Sequence, residues 1–130
     1  MTEYSPEEYI NYRLIKAKET IEEVDILIKN KLWNTAVNRM YYASFYAVGA
    51  LLIKYGLSAR RHAGTRYLFG QHFVKTGLIN RNLAKHYTDL FEKRNKGDYN
   101  DFYDYDEEMV LRLLPQTKQL IQEIEKLIRK

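Results

Sequence analysis

The stretch from Trp33 to Gly56, WNTAVNRMYYASFYAVGALLIKYG, constrains the fold more than any other part of the chain. Trp33, Val37, Met40, Tyr41, Ser44, Val48, Leu51 and Tyr55 recur at offsets of three and four, which marks one face of a helix. Ala36, Ala43, Ala47 and Ala50 form a second line of small side chains, and Tyr42, Tyr46, Gly49 and Ile53 a third. The first half keeps a polar strip, Asn34, Thr35, Asn38 and Arg39; the second half is apolar nearly all round. A helix of that kind is usually enclosed by others. It is expected to be the central helix of an all-α, up-and-down bundle, with neighbours laid against each of its faces.

The flanking segments supply those neighbours. Ser5-Pro6-Glu7-Glu8 reads as a helix start: Ser5 caps, Pro6 suits the first helical position and Glu8 completes a capping box. The stripe Ile10, Leu14, Ala17, Ile21, Val24, Ile28 then runs without a gap to a stop at Asn30-Lys31. The short link to Trp33 makes the first two helices antiparallel. Leu57 to Ala63 reads as a loop carrying Arg60-Arg61-His62, and Gly64 to Thr76 as a short helix ended by Gly77. Asn80 caps a fourth helix expected to end near Lys96. Gly97 to Tyr105 is then an irregular acidic and aromatic segment, and Asp104 or Asp106 caps a last helix with Glu107 and Glu108 in its first turn. Pro115 lies within that helix and predicts a kink near Leu111 to Leu114. Residues 1–130 are read as a single domain of four to five helices.

The composition excludes several kinds of chemistry. There is no cysteine, so disulfides, thiolate nucleophiles and cysteine zinc sites are out, which fits a cytoplasmic protein. The opening residues show no targeting signal. The longest near-apolar run, Met40 to Ile53, is too short and too rich in tyrosine to span a bilayer, so no membrane partner is expected. The net charge of +4 is unevenly spread. Nine basic residues between Arg60 and Lys96 are accompanied only by Asp89 and Glu92, and the segment from Asp98 to Glu108 is acidic without a base. Such a distribution suits a phosphate-rich partner or a dipolar surface for self-association.

Arg94 stands out. The stripe of the fourth helix is Leu83, Tyr87, Leu90, Phe91 and then Arg94, eleven residues or about three turns beyond Leu83. A guanidinium on an apolar stripe is costly unless paired. Asp98, four residues on, can bridge to it; alternatively the planar, always-charged fork meets a phosphate in a groove. His62, in a loop after two arginines, is a candidate for anion contact with Arg61. His72 and His86 read as helix-surface or core-edge residues. The aspartates Asp98, Asp101, Asp104 and Asp106 lack the glycine and glutamate offsets of a calcium loop, and no metal or cofactor is expected.

Three segments together resemble the HEPN family (higher eukaryotes and prokaryotes nucleotide-binding domain). They are Ala36 to Ala47 (AVNRMYYASFYA), His62-Ala63-Gly64 continuing to Phe73 to Gly77 (FVKTG), and Leu90 to Arg94 (LFEKR) followed by Asp98-Tyr99. The resemblance covers nearly the whole chain. It implies a bundle of four or five helices that commonly forms a homodimer, RNA or nucleotide handling, and pairing with a minimal nucleotidyltransferase, often as a toxin–antitoxin couple. Catalytic members are metal-independent ribonucleases built on an arginine, four to six residues, then a histidine. Carried over, that arginine is Arg94. The positions where the histidine would stand hold Tyr99, Asn100 and Asp101. The resemblance therefore implies a binding protein with a degenerate ribonuclease motif, using Arg94, Arg61 and His62 for phosphate. The rivals are a ribonuclease toxin in which Asp98 or Tyr99 replaces the histidine, and a non-catalytic dimeric interaction module in which Arg94 and Asp98 only brace the bundle.

Overall fold

A computed structural model describes residues 5–59 and 61–130; Met1 to Tyr4, where a targeting signal was sought, and Arg60 lie outside it. Helix α1 spans Pro6–Lys29, α2 Trp33–Lys54, α3 His62–Phe69, α4 Arg81–Tyr99 and α5 Glu107–Ile128. A π-helical turn, Gly70–Val74, continues α3. There is no strand among the described residues.

The predicted punctuation is in place. Ser5 Oγ accepts from the Glu8 amide at 3.1 Å, Asn80 Oδ1 from the Asn82 amide at 2.7 Å, and Asp106 Oδ1 from the Met109 amide at 2.9 Å. Each such cap is worth about 1 kcal/mol. Gly56 and Gly77 take φ of +75° and +82°, the left-handed geometry that lets a chain leave a helix without a Cβ clash.

Helix α2 is the hub: it packs along α1 and also against α3, α4 and α5. Ala36, Ala43, Ala47 and Ala50 are wholly buried, as are Val37, Met40, Tyr41, Val48 and Leu51. Lys18 of α1 reaches Glu125 of α5 at 2.7 Å and ties the first helix to the last.

Three expectations need correction. The third line of α2 is only partly covered by its neighbours. Tyr42, Phe45, Tyr46, Gly49 and Ile53 are only half-buried and form an aromatic face open to one side. His62 and Ala63, expected in a loop, are the first turn of α3, and Arg61 with extended backbone is its N-cap. Gly97, Asp98 and Tyr99, expected in an irregular segment, are the last residues of α4. Tertiary contact overrides the glycine there: Asn34 Nδ2 donates to the Gly97 carbonyl at 3.3 Å, and a Cβ on Gly97 would meet Tyr105 Cε2 at 3.0 Å. Helix α5 is continuous through Pro115, so the proline does not end it. The carbonyl that loses its partner belongs to Leu111, an exposed residue.

Candidate functional site

The third line of α2 and the end of α4 meet where Arg94 lies. Its side chain is only 8 % exposed, as its place on the α4 stripe requires. The guanidinium carbon stands 5.2 Å from the Tyr41 ring centroid, 5.3 Å from Tyr42 and 5.9 Å from Phe91. The negative faces of the rings attract the cation. Nε is buried with no hydrogen-bond partner.

Asp98 follows one turn later because α4 continues past Gly97. Its Oδ2 is 3.9 Å from Arg94 Nη1, the outer limit of an ion pair, and accepts a much closer bond, 2.8 Å, from Asn38 Nδ2. The Asn38 Oδ1 in turn accepts from Arg39 Nε at 3.0 Å and Nη2 at 2.8 Å, and the Arg39 guanidinium lies 5.0 Å from the Tyr42 ring. Asp98 is thus positioned by Asn38 more than by Arg94. A brace between Arg94 and Asp98 is a weak account of why the guanidinium is there.

The first turn of α3 brings in a histidine. His62 Nδ1 and Tyr41 Oη are 2.5 Å apart, and the imidazole stacks on Phe45 with centroids 4.5 Å apart. Burial, then the positive charges of Arg94 and Arg66, hold its pKa below the ordinary histidine value, so the ring is neutral at pH 7. When Nδ1 carries the proton and gives it to Tyr41, Nε2 is left as a free base. Burial pushes the Tyr41 phenol up to about 12, so Tyr41 stays protonated and serves as an orienting partner. One turn beyond His62, Arg66 lies 4.0 Å above the Phe91 ring, its Nε also buried without a partner. Among the described residues neither Arg39 nor Arg66 pairs with a carboxylate.

The predicted site residues therefore separate. Arg94, Asp98 and His62 converge. Tyr99 is 74 % exposed at the end of α4, and no hydrogen bond or ring contact to the cluster is found for it among the described residues. Arg61 is exposed at the α3 N-cap, and its carbonyl accepts from Thr65. Arg66, Arg39, Asn38 and Phe91 were not foreseen. Arg66 sits at helical spacing from His62, a signal hidden while His62 was read as loop. Of the other histidines, His72 is exposed as expected. His86 is buried, with Nε2 2.8 Å from Thr117 Oγ1.

The acidic segment after α4 is fastened beside the site by the side chains of Asn34 and Tyr105. Asn34 Oδ1 accepts from the Tyr105 amide at 2.8 Å, and its Nδ2 donates to the Tyr103 carbonyl at 2.9 Å. The Tyr105 hydroxyl donates to the Lys93 carbonyl at 2.8 Å. Three guanidinium groups, a neutral imidazole and aromatic rings, with a single carboxylate, make a surface suited to binding phosphate.

Comparison with known proteins finds relatives along most of this chain. The chain is 41 % identical over 122 residues to a UPF0332 protein of Thermotoga maritima, covering 94 % of this chain and 92 % of the relative. It is 39 % identical over 83 residues to "Putative toxin MJ0605" of Methanocaldococcus jannaschii, covering 64 % of this chain and 62 % of that one. A second protein of the same organism, "Putative toxin MJ0142", is 29 % identical over 85 residues, 65 % of this chain and 58 % of its own length. No described helix is long and apolar enough to cross a membrane. The HEPN domain family matches residues 10–127, so the five-helix chain, with Arg94 seated among its aromatic rings, belongs to the HEPN family.

Proposed function

We propose that this protein binds RNA or nucleotide phosphate at the face built by Arg94, Arg66 and His62. In this reading it works as a cytoplasmic homodimer, with a minimal nucleotidyltransferase, in a toxin–antitoxin-like pair. One observation carries the binding reading: the Arg94 guanidinium is held among three rings with its nearest carboxylate at 3.9 Å and Nε unpartnered. A buried cation with so little compensation is stabilised by an arriving anion. The toxin names of two relatives support the pairing, and the family resemblance supports the nucleotidyltransferase.

The test is Arg94→Gln, which keeps the side-chain length and removes the charge. Binding of a fluorescently labelled single-stranded RNA, followed by anisotropy at fixed salt, should weaken at least tenfold, about 1.4 kcal/mol, while the circular dichroism melt stays cooperative. Unchanged affinity would remove Arg94 from the site and leave the bracing role.

The position of His62 favours a second reading, a metal-independent ribonuclease. His62 Nε2 would take the proton of a ribose 2′-hydroxyl. The 2′-oxygen then attacks phosphorus, the bond to the 5′-oxygen breaks with a proton drawn from water, and a 2′,3′-cyclic phosphate remains; Arg94 steadies the added charge. This assigns the base to His62 in preference to Asp98, which is engaged by Asn38, or Tyr99, which is exposed at the end of α4. Growth arrest on expression, relieved by His62→Gln, with cyclic phosphate ends on cellular RNA, is the expected result. Intact RNA and normal growth rule it out.

A further inference from the structure

A fourth guanidinium, that of Arg13, lies in a cavity that the Arg94 cluster does not use. Arg13 of α1 borders a cleft of ≈ 340 Å³ walled by Tyr9, Phe45, Gly49, Leu52 and Ile53. Its guanidinium carbon is 5.3 Å from the Tyr9 ring and 5.8 Å from Phe45. The only hydrogen bond it makes among the described residues is a long one, 3.5 Å, from Nη2 to Tyr9 Oη. Nε is buried without a partner, and no described carboxylate lies within ion-pair distance.

Gly49 explains how the group fits. A Cβ at this position would stand 2.5 Å from Arg13 Nη1 and 3.2 Å from its central carbon. Glycine inside a helix costs about 1 kcal/mol relative to alanine. Here it opens the wall of α2 so that a charged fork can lie flat against it. The chain thus gives up helix stability to seat a cation that has no anion of its own.

We propose that this cleft binds a nucleoside monophosphate unit, its phosphate on the Arg13 fork and its base against the apolar wall. A planar guanidinium takes phosphate oxygens in pairs, and every base has a face that packs on such a wall. The volume lies at the small end of ligand sites, which suits one nucleotide. Phe45 is a wall of the cleft, and its ring stacks on His62 of the Arg94 cluster at 4.5 Å. A strand whose phosphate meets Arg94 can therefore place its neighbouring unit here. The ligand class rests on the phosphate-binding reading above; the residues are separate, and the two can fail independently.

The experiment follows the Gly49 backbone amide by NMR in the full-length, nitrogen-15-labelled protein, titrated with adenosine 5′-monophosphate and with a short oligoadenylate. Either ligand should move Gly49 saturably, and the movement should persist in Arg94→Gln. Arg13→Gln should weaken binding at the cleft at least tenfold. Gly49→Ala keeps every charge but displaces the guanidinium, and should weaken it comparably while leaving the fold intact. A response to the mononucleotide identifies a free-nucleotide site; a response to the oligomer alone identifies a strand subsite. The proposal is overturned if neither ligand moves Gly49, or if Arg13→Gln and Gly49→Ala bind as the parent does. It is equally overturned if Arg13→Gln changes only the sedimenting mass, since a second copy would then cover the cleft. Loss of RNA binding in Arg94→Gln with an unresponsive Gly49 would remove this site and leave the Arg94 reading standing.

Discussion

Lowering the pH should destabilise this protein through one buried histidine well before most carboxylates titrate. Thr117 Oγ1 donates to the Leu113 carbonyl at 2.9 Å, so it accepts from His86 Nε2 and leaves Nδ1 as the site where a second proton would go. Burial pushes the His86 pKa from 6.5 to about 4; Lys93 acts in the same direction and Asp89 against it. The unfolded chain takes up the proton near pH 6.5 and the folded chain only near pH 4. Stability is therefore full above pH 6.5 and falls as the pH drops towards 4. At about 1.4 kcal/mol per pH unit, the loss attributable to His86 approaches 3 kcal/mol. His86→Gln keeps an amide that can donate to Thr117 but cannot titrate. Urea unfolding of both proteins across this range should give stability curves that differ by a constant above pH 6.5 and converge, or cross, by about 3 kcal/mol near pH 4. Carboxylates and His62 are common to both and cancel. Parallel curves throughout would refute the assignment of that proton to His86.

Two further changes probe the segment after α4. Asn34→Ala removes both backbone anchors of Tyr103 and Tyr105 and should cost about 2 kcal/mol in urea unfolding, at roughly 1 kcal/mol per hydrogen bond, while chymotrypsin cutting at residues 102–105 becomes faster. Phe102 has φ +63° and a fully exposed ring, so Phe102→Asn gives up no burial, relieves a left-handed strain and should raise stability by about 0.5–1 kcal/mol, read as a higher melting temperature.

The helices could be read from the letters because periodicity and caps are local. Ser5, Asn80, Asp106, Gly56 and Gly77 punctuate as expected, and the burial of Arg94 follows from its register with Leu83 and Leu90. Proximity across the bundle was harder to read. Arg13 and Gly49 are 36 positions apart, and nothing in either helix alone says that one makes room for the other. His62 joins Arg94 only because α3 begins two residues earlier than its glycine suggested. That start is accompanied by a hydrogen bond to Tyr41, a partner 21 positions away. The helical state of Gly97 likewise depends on Tyr105 and Asn34, not on its own propensity.

The four enclosed alanines of α2 lie, by helical spacing, on the side of the helix away from Phe45 and Gly49. A bulkier side chain at any of them would act as a shim, rolling the rod about its long axis and re-aiming every cation–ring pair on the far side without touching one of them. The direction in which this protein offers its arginines to the outside is thus fixed by methyl groups that no visitor ever meets.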